Sequence, residues 1–368
     1  MLNLSQNGCS VWVAASIEQL LTPTAIALGK FDGVHLGHQR VIQPILHSVV
    51  GKQRREDRKK LSEDLPSHPT ELSTLSAPQK SIYSTVVTFD PHPQEFFSGQ
   101  RRSLLTPLEE KVEQLRSLGV QQLVLLPFNQ ELSALSPEDF VEKVIVQQLQ
   151  CRKISVGEDF CFGKKRVGTA KDLQKIAARY DIPVTIVPIQ TDTNNLPKNT
   201  DCTHNSGLME DGRISTSSIR QSLETGDITK ANRLLGRPYS LIGEVVTGQK
   251  LGRTIGFPTA NLQPPTEKFL PCQGVYAVKV LIPSETPNNE PIQKMGVMNI
   301  GNRPTVNGTN SSIEVHLFDW SGDLYGQKIV VELVKFLRPE QKFSDLEALK
   351  NQIQLDSTIA REVLIGQY

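Results

Sequence analysis

No apolar run in this 368-residue chain approaches the ~20 residues that a bilayer-spanning helix needs. An excess of charge is missing too: 40 Lys and Arg against 39 Asp and Glu leave a formal net charge of +1, so no global field draws in nucleic acid. The five cysteines, Cys9, Cys151, Cys161, Cys202 and Cys272, follow no spacing, which argues against a disulfide framework and for a reducing compartment. The N-terminus lacks a basic start followed by an apolar core, Val11 to Ala15 being too short for a signal peptide. The histidines show no paired spacing with cysteine that would make a metal site. Together these absences point to a cytoplasmic protein with neither membrane nor nucleic-acid partners. They leave room for weak self-association without requiring it.

What is present is a strand, a glycine-punctuated turn and a helix. The run Ala25 to Leu28 leads into Gly29-Lys30-Phe31-Asp32-Gly33-Val34-His35-Leu36-Gly37-His38, and Val41, Ile42, Ile45, Leu46 and Val49 follow at helical spacing. The spacing predicts a helix from about His38 to Val50, with two histidines at its N-terminus. Free N–H groups and the helix dipole attract phosphate there, and glycines allow close approach. The loop has no Gly-Lys-Ser/Thr ending, so it suits attack on an α-phosphorus rather than γ-phosphoryl transfer.

Short apolar runs alternate with helical patterns up to about Ile189, as in a Rossmann-like parallel sheet. Strands are expected at Ala25 to Leu28, Ser84 to Thr88, Gln122 to Leu126, Lys153 to Val156 and Val184 to Val187. Further helices are expected at Pro107 to Leu118 and Pro137 to Gln148, each opened by a hydroxyl and a proline. From Tyr239 onward, period-two strands separated by Gly, Pro and Asn clusters suggest a small antiparallel barrel closed by a C-terminal helix near Leu346 to Leu355. The expected domains are 15–235 and 236–368, with a helical stretch Ile219 to Leu235 kept in the first. Stretches near 51–80 and 190–212 lack apolar periodicity and read as insertions.

Other candidate residues also follow strands. His92, in Phe89-Asp90-Pro91-His92-Pro93, is either a site wall or a turn residue. Asp159, Phe160 and Phe162 suit recognition of a planar ring, and the two phenylalanines equally suit the core. Ser215, Ser217 and Arg220 combine hydroxyls with a guanidinium at a helix start, a grip for pyrophosphate. In the second half, Gly248, Lys250, Gly252, Arg253 and Gly256 form a glycine-rich basic loop, followed by Thr259 and Asn261 as oxygen ligands for ATP and a hard cation. Alternation around Ile313, Val315 and Leu317 leaves Glu314 on the opposite face, where a carboxylate could act as general base or simply be exposed.

The spacing His-x-Gly-His resembles the nucleotidylyltransferase signature. The blocks GKFDGVHLGH, FDPHP, FNQELSALSPEDFV, GEDFCFGKKRVG and ISTSSIR resemble, in order, the FAD synthetases over most of residues 24–235. One departure is that Thr216 and Ser217 take the second and third hydroxyl places of the last block. The resemblance implies transfer of AMP from ATP to FMN with Mg²⁺. It assigns His35, His38 and Arg220 to catalysis, and Gly29, Phe31, Asp32, Gly33, Gly37, Ser215 and Ser217 to ATP. FMN falls to His92, Asp159, Phe160 and Phe162.

GRTIGFPTANL, GVYAV, GVMNIGNRPTV, IEVHLFD and DLYGQKIVVELVKFLRPEQKF resemble bacterial riboflavin kinase across nearly all of 236–368. That likeness implies phosphorylation of riboflavin by ATP, with Thr259 and Asn261 at the metal and phosphate, Glu314 as base, and Asn299, Arg303, Phe336 and Arg338 in blocks that line the flavin pocket. The substrates implied are riboflavin, FMN and ATP.

Overall fold

The computed structural model describes residues 11–46, 81–192, 212–248, 252, 255–284, 290–305 and 308–366. The insertion at 51–80 and most of that at 190–212 lie outside the described residues. Two compact units form, one from Met1–Arg101 with Lys111–Gln190, the other from Arg102–Glu110 with Thr191–Tyr368.

The first unit is built on a parallel sheet of β1 (Trp12–Ala14), β2 (Thr24–Leu28), β3 (Tyr83–Asp90), β4 (Gln122–Pro127), β5 (Cys151–Gly157) and β8 (Val184–Val187), with a two-stranded ribbon of β6 (Cys161–Phe162) and β7 (Gly168–Thr169) between β5 and β8 in the chain. Its order is β1-β4-β3-β2-β5-β8. Strand β2 is buried throughout, as a central strand covered on both faces must be, which is why its sequence is an unbroken apolar run. The five strands expected from the sequence are present. The short edge strand β1 is an addition, because three residues carry too little pattern to read.

The chain runs from β2 outward through β3 and β4, then returns to β5 on the other side of β2. The order therefore reverses between β2 and β5. At such a switch point the adjacent loops part and leave a crevice beyond the strand ends. The segment Gly29 to His35 leaves β2 there and enters α1 (Leu36–Leu46), which begins two residues before the expected start. Helices α2 (Pro93–Ser98), α3 (Leu108–Ser117) and α4 (Ala170–Ala178) follow. The stretch expected as one helix from Pro137 changes register: Pro137–Asp139 is α-helical, capped by Ser136 Oγ, and Phe140–Gln148 is π-helical. The wider turn keeps Phe140, Val141, Val144 and Ile145 buried together.

The second unit is a closed barrel of six strands: β9 (Tyr239–Val246), β10 (Ala260–Gln263), β11 (Gly274–Ile282), β12 (Ile292–Thr305), β13 (Gly308–Leu317) and β14 (Lys328–Arg338), in the order β10-β13-β12-β11-β14-β9. All six neighbouring pairs are antiparallel. Tyr276, Val278, Met298, Ile313, Val315 and Val331 fill its interior. Alternate residues Val275, Ala277, Val297 and Val334 face outward and pack with Ala360 and Leu364 of the C-terminal helix (Leu346–Ile365), which runs ten residues past its expected end at Leu355. Residues Ala260–Gln263 form strand β10, so Asn261, read from sequence at the end of the glycine-rich loop, stands on a strand.

The stretch expected as one helix from Ile219 divides into α5 (Thr216–Glu224) and α6 (Ile228–Leu235) around Gly226, whose φ of 78° ends the first. The sequence reading assigns both to the first domain. Their apolar residues Ile219, Leu223, Ile228, Ala231, Leu234 and Leu235 lie in the barrel unit's core instead. Apolar periodicity reports that a face is buried, not against which partner. The segment Arg102–Glu110 joins this unit too. Lys268, its ammonium wholly buried, donates to the Leu105 carbonyl and to Glu110 at 2.8 and 2.5 Å. Burial raises the Glu110 pKa against the pull of Lys268.

Candidate active sites

The loop after β2 is held in an uncommon shape. Phe31, Gly33 and Val34 have φ of 48°, 91° and 42°. For Phe31 and the β-branched Val34 that conformation costs about 1–3 kcal/mol each and persists where packing over-determines it. Both side chains are buried, at 0 and 1 % exposed. Thr88 Oγ1 donates to the Lys30 carbonyl at 3.0 Å, fastening the loop to β3.

His35 stands immediately before α1 and its Nδ1 accepts the His38 N–H at 3.3 Å. It is thus a side-chain cap, and acceptance at Nδ1 places the ring proton on Nε2. The His38 ring stacks on it, with centroids 3.7 Å apart and planes 19° apart. Burial, then the repulsion a His38 imidazolium would meet from His35 and Lys111, holds the His38 pKa well below 6.5. Its Nδ1 is buried without a hydrogen-bond partner among the described residues.

Lys111 was not legible in the sequence. In Leu108-Glu109-Glu110-Lys111 it reads as one more solvated charge on a helix, yet it is 8 % exposed. Burial lowers its pKa, and Asp32 and Asp90 oppose that shift. A buried cation therefore lies among the loop's own carboxylate Asp32, the last residue of β3, and His38.

Four aromatic rings gather beside the ends of β3 and β4: Phe96 lies 5.2 Å from Phe97 and 5.4 Å from Phe128, while Phe128 lies 5.8 Å from Phe97 and 5.7 Å from Phe89. Phe97 is 72 % exposed, unusual for a ring in a cluster. The adjacent pair Phe96-Phe97 behind the proline-rich loop was the available signal. His92 caps α2, its Nδ1 accepting the Gln94 N–H at 3.1 Å. Phe162 is a core residue, 5 % exposed and packed on Phe140 and the half-buried Phe160, and Asp159 is exposed.

Ser215, Ser217 and Arg220 belong to the second unit. Ser215 caps α5 by accepting the Ser218 N–H at 3.1 Å, and Ser217 is exposed. Arg220 donates to the Ser103 carbonyl and stands over the Phe269 ring at 4.6 Å.

In the barrel, Asn261 of β10 pairs with Glu314 of β13, and Glu314 pairs with Asn299 of β12. Residues directly opposite on neighbouring strands share a face, their Cβ atoms about 5 Å apart. Because Ile313 and Val315 point into the core, this row lies on the outer face. Thr259, just ahead of β10, has its Oγ1 3.5 Å from Glu314 Oε2. Gly248 sits against this row, and a Cβ there would overlap the Asn261 amide. Lys250 and Arg253 lie outside the described residues, Arg303 contributes backbone to β12, and Gly252 accepts the Phe257 N–H at 2.8 Å. Gly256 has φ of 90°, which glycine adopts without strain. Phe336 packs edge-on against Tyr276 at 5.1 Å. Arg338 grips Asp356 of the C-terminal helix through Nε and Nη2, the closest contact being 2.8 Å, so this guanidinium fastens the helix to β14.

Each unit thus presents groups suited to phosphate: a histidine pair with a buried lysine in one, and a carboxylate beside hydroxyl and amide oxygens in the other. Comparison with known proteins agrees with that division. The FAD synthetase family profile matches residues 17–72 and 71–197, and the riboflavin kinase profile matches 235–364. The chain is 36 % identical over 339 residues to the bifunctional riboflavin kinase/FMN adenylyltransferase of Escherichia coli K12, covering 92 % of this chain and 91 % of that one. It is 35 % identical to the Bacillus subtilis protein of the same description, covering 92 % of each. A solved structure described as a macrolide-efflux protein from Streptococcus pneumoniae superposes with a TM-score of 0.72 at 27 % identity, over 95 % of this chain and 98 % of that one. Among the described residues no helix is long and apolar enough to cross a membrane. The chain belongs to the bifunctional riboflavin kinase/FMN adenylyltransferase family, with its FAD synthetase domain N-terminal and its flavokinase domain C-terminal.

Proposed function

We propose that this chain converts riboflavin to FAD in two ATP-dependent reactions, phosphorylation at the barrel and adenylylation at the parallel sheet. The observation that carries the proposal is the row Asn261–Glu314–Asn299 with the Thr259 hydroxyl 3.5 Å from the Glu314 carboxylate, which sets a base beside oxygen donors for phosphate. In the kinase reaction Glu314 takes the proton of the primary ribityl hydroxyl as its oxygen bonds to the γ-phosphorus, and the bond to the β,γ-bridging oxygen breaks to release ADP. Thr259 and Asn261 supply hard oxygen donors of the kind Mg²⁺ prefers, completed by substrate phosphate and water. Mg²⁺, when bound, offsets phosphate charge. No cluster of three acidic, His or Cys side chains occurs among the described residues, and a nucleotide-bound Mg²⁺ needs none.

In the adenylylation an FMN phosphate oxygen bonds to the α-phosphorus of ATP and pyrophosphate leaves. The attacking phosphate is already ionised at neutral pH, so no base is required and positioning with charge stabilisation suffices. His35 Nε2–H donates to the α-phosphate, and Lys111 holds positive charge beside it. The isoalloxazine ring stacks on the exposed Phe96 and Phe97, backed by the half-buried Phe128. Phe97→Ala is expected to raise the KM for FMN about 2- to 10-fold with little change in melting temperature, since the ring is 72 % exposed. An unchanged KM would remove the platform.

The test of the whole reading is chromatography of the flavins formed from riboflavin, ATP and Mg²⁺ by the purified chain. FMN followed by FAD is expected. FMN alone would refute the adenylylation assignment, and neither product would refute both.

A further inference from the structure

We infer that His316 is a positioning residue of the kinase site: by donating a hydrogen bond to the Pro258 carbonyl it sets where Thr259 stands relative to Glu314. The inference rests on the kinase reading above. His316 and Glu314 are two apart on β13 and so share its outer face. Glu314 faces the Thr259 hydroxyl at 3.5 Å, and His316 Nδ1 lies 2.8 Å from the Pro258 oxygen. One strand thus touches two successive residues of the preceding segment through two side chains.

The bond has leverage because of which carbonyl it holds. The Pro258 oxygen belongs to the planar peptide unit that ends at the Thr259 Cα, so fixing that oxygen fixes the base of the threonine side chain. Nearby the chain is outside any strand until Ala260, and Gly256 with φ of 90° precedes it. The His316 ring also meets Phe257 edge-on at 5.5 Å and Phe318 at 5.9 Å, which holds the imidazole in orientation. Since the acceptor is a carbonyl, the ring proton must sit on Nδ1.

The test compares His316→Asn with His316→Gln. An asparagine amide N–H falls near the place of Nδ1 and restores the tether, whereas the longer glutamine places its amide near Nε2 and does not. In FMN formation, His316→Gln and His316→Ala are expected to lose about 3- to 10-fold in kcat/KM for ATP, with the riboflavin KM unchanged. His316→Asn is expected to recover most of that loss. FAD formation from supplied FMN is measured on each variant as a control for folding. Equal behaviour of the Asn and Gln variants, or a loss shared by riboflavin and ATP, would overturn the tether. Absence of FMN formation in the wild-type protein would instead overturn the kinase reading on which it rests.

Discussion

Glu314→Gln is expected to lower FMN formation by about 10²- to 10⁴-fold while leaving FAD formation from supplied FMN at the wild-type rate. The substitution keeps the shape and hydrogen-bonding reach of the side chain and removes only its ability to accept a proton. The fold should be indifferent to it. Ile313 and Val315 on either side are 3 % and 0 % exposed and hold β13 in the barrel core, and its register to β10 and β12 is set by backbone bonds. Glu314 is half-buried on the outer face, so replacing it leaves no unpaired charge in the interior. The loss should appear in kcat, since the carboxylate acts on a proton that moves only in the reaction, whereas the KM values should change little. A variant that kept FMN formation within tenfold of wild type would show that the ribityl hydroxyl does not need this base.

His35→Asn is expected to do the reverse, lowering FAD formation by about 10²- to 10³-fold with FMN formation intact. The asparagine oxygen can still accept the His38 N–H that His35 Nδ1 accepts at 3.3 Å, so α1 remains capped. What disappears is the Nε2–H that, in the function proposed above, donates to the α-phosphate. His35→Ala removes cap and donor together and should cost about 1 kcal/mol of stability besides. The comparison separates the two roles, and equal activity losses with unequal melting temperatures are expected. If His35→Asn retained FAD formation, the donor role would be wrong.

His38 adds a pH signature. Burial first, then the repulsion its imidazolium would meet from His35 and Lys111, holds its folded pKa well below 6.5. Below about pH 6.5 the unfolded chain binds a proton here that the folded chain refuses, so acid favours unfolding. Above that pH both states are neutral and the effect vanishes. Melting temperature measured from about pH 5 to 8 should therefore fall more steeply on acidification in the wild type than in His38→Gln, and parallel curves would contradict a buried neutral imidazole.

Much of the fold was legible because its signals are local. The apolar run ahead of Gly29, the proline after Ser136 and the alternation from Lys294 to Ile300 each state a period or a turn within a few residues. The places where the reading departs from the structure depend on distant partners. Strand β10 has only four residues, and its pairing with Val246 and Glu314 is what makes Asn261 part of a strand. The stretch Ile219 to Leu235 was read as helical, but the break at Gly226 and the core that receives α5 and α6 were decided by packing.

The sites divide in the same way. The sequence by itself determined the family and the two domain activities, because glycine spacing, paired histidines and strand alternation survive in one dimension. Only the tertiary structure decided that Lys111 is buried among Asp32, Asp90 and His38, that four phenylalanines gather beside β3 and β4, and that His316 reaches the carbonyl ahead of Thr259. Burial and hydrogen-bond partners are set by residues far apart in the chain, and a charge or an imidazole acquires its chemistry from those neighbours.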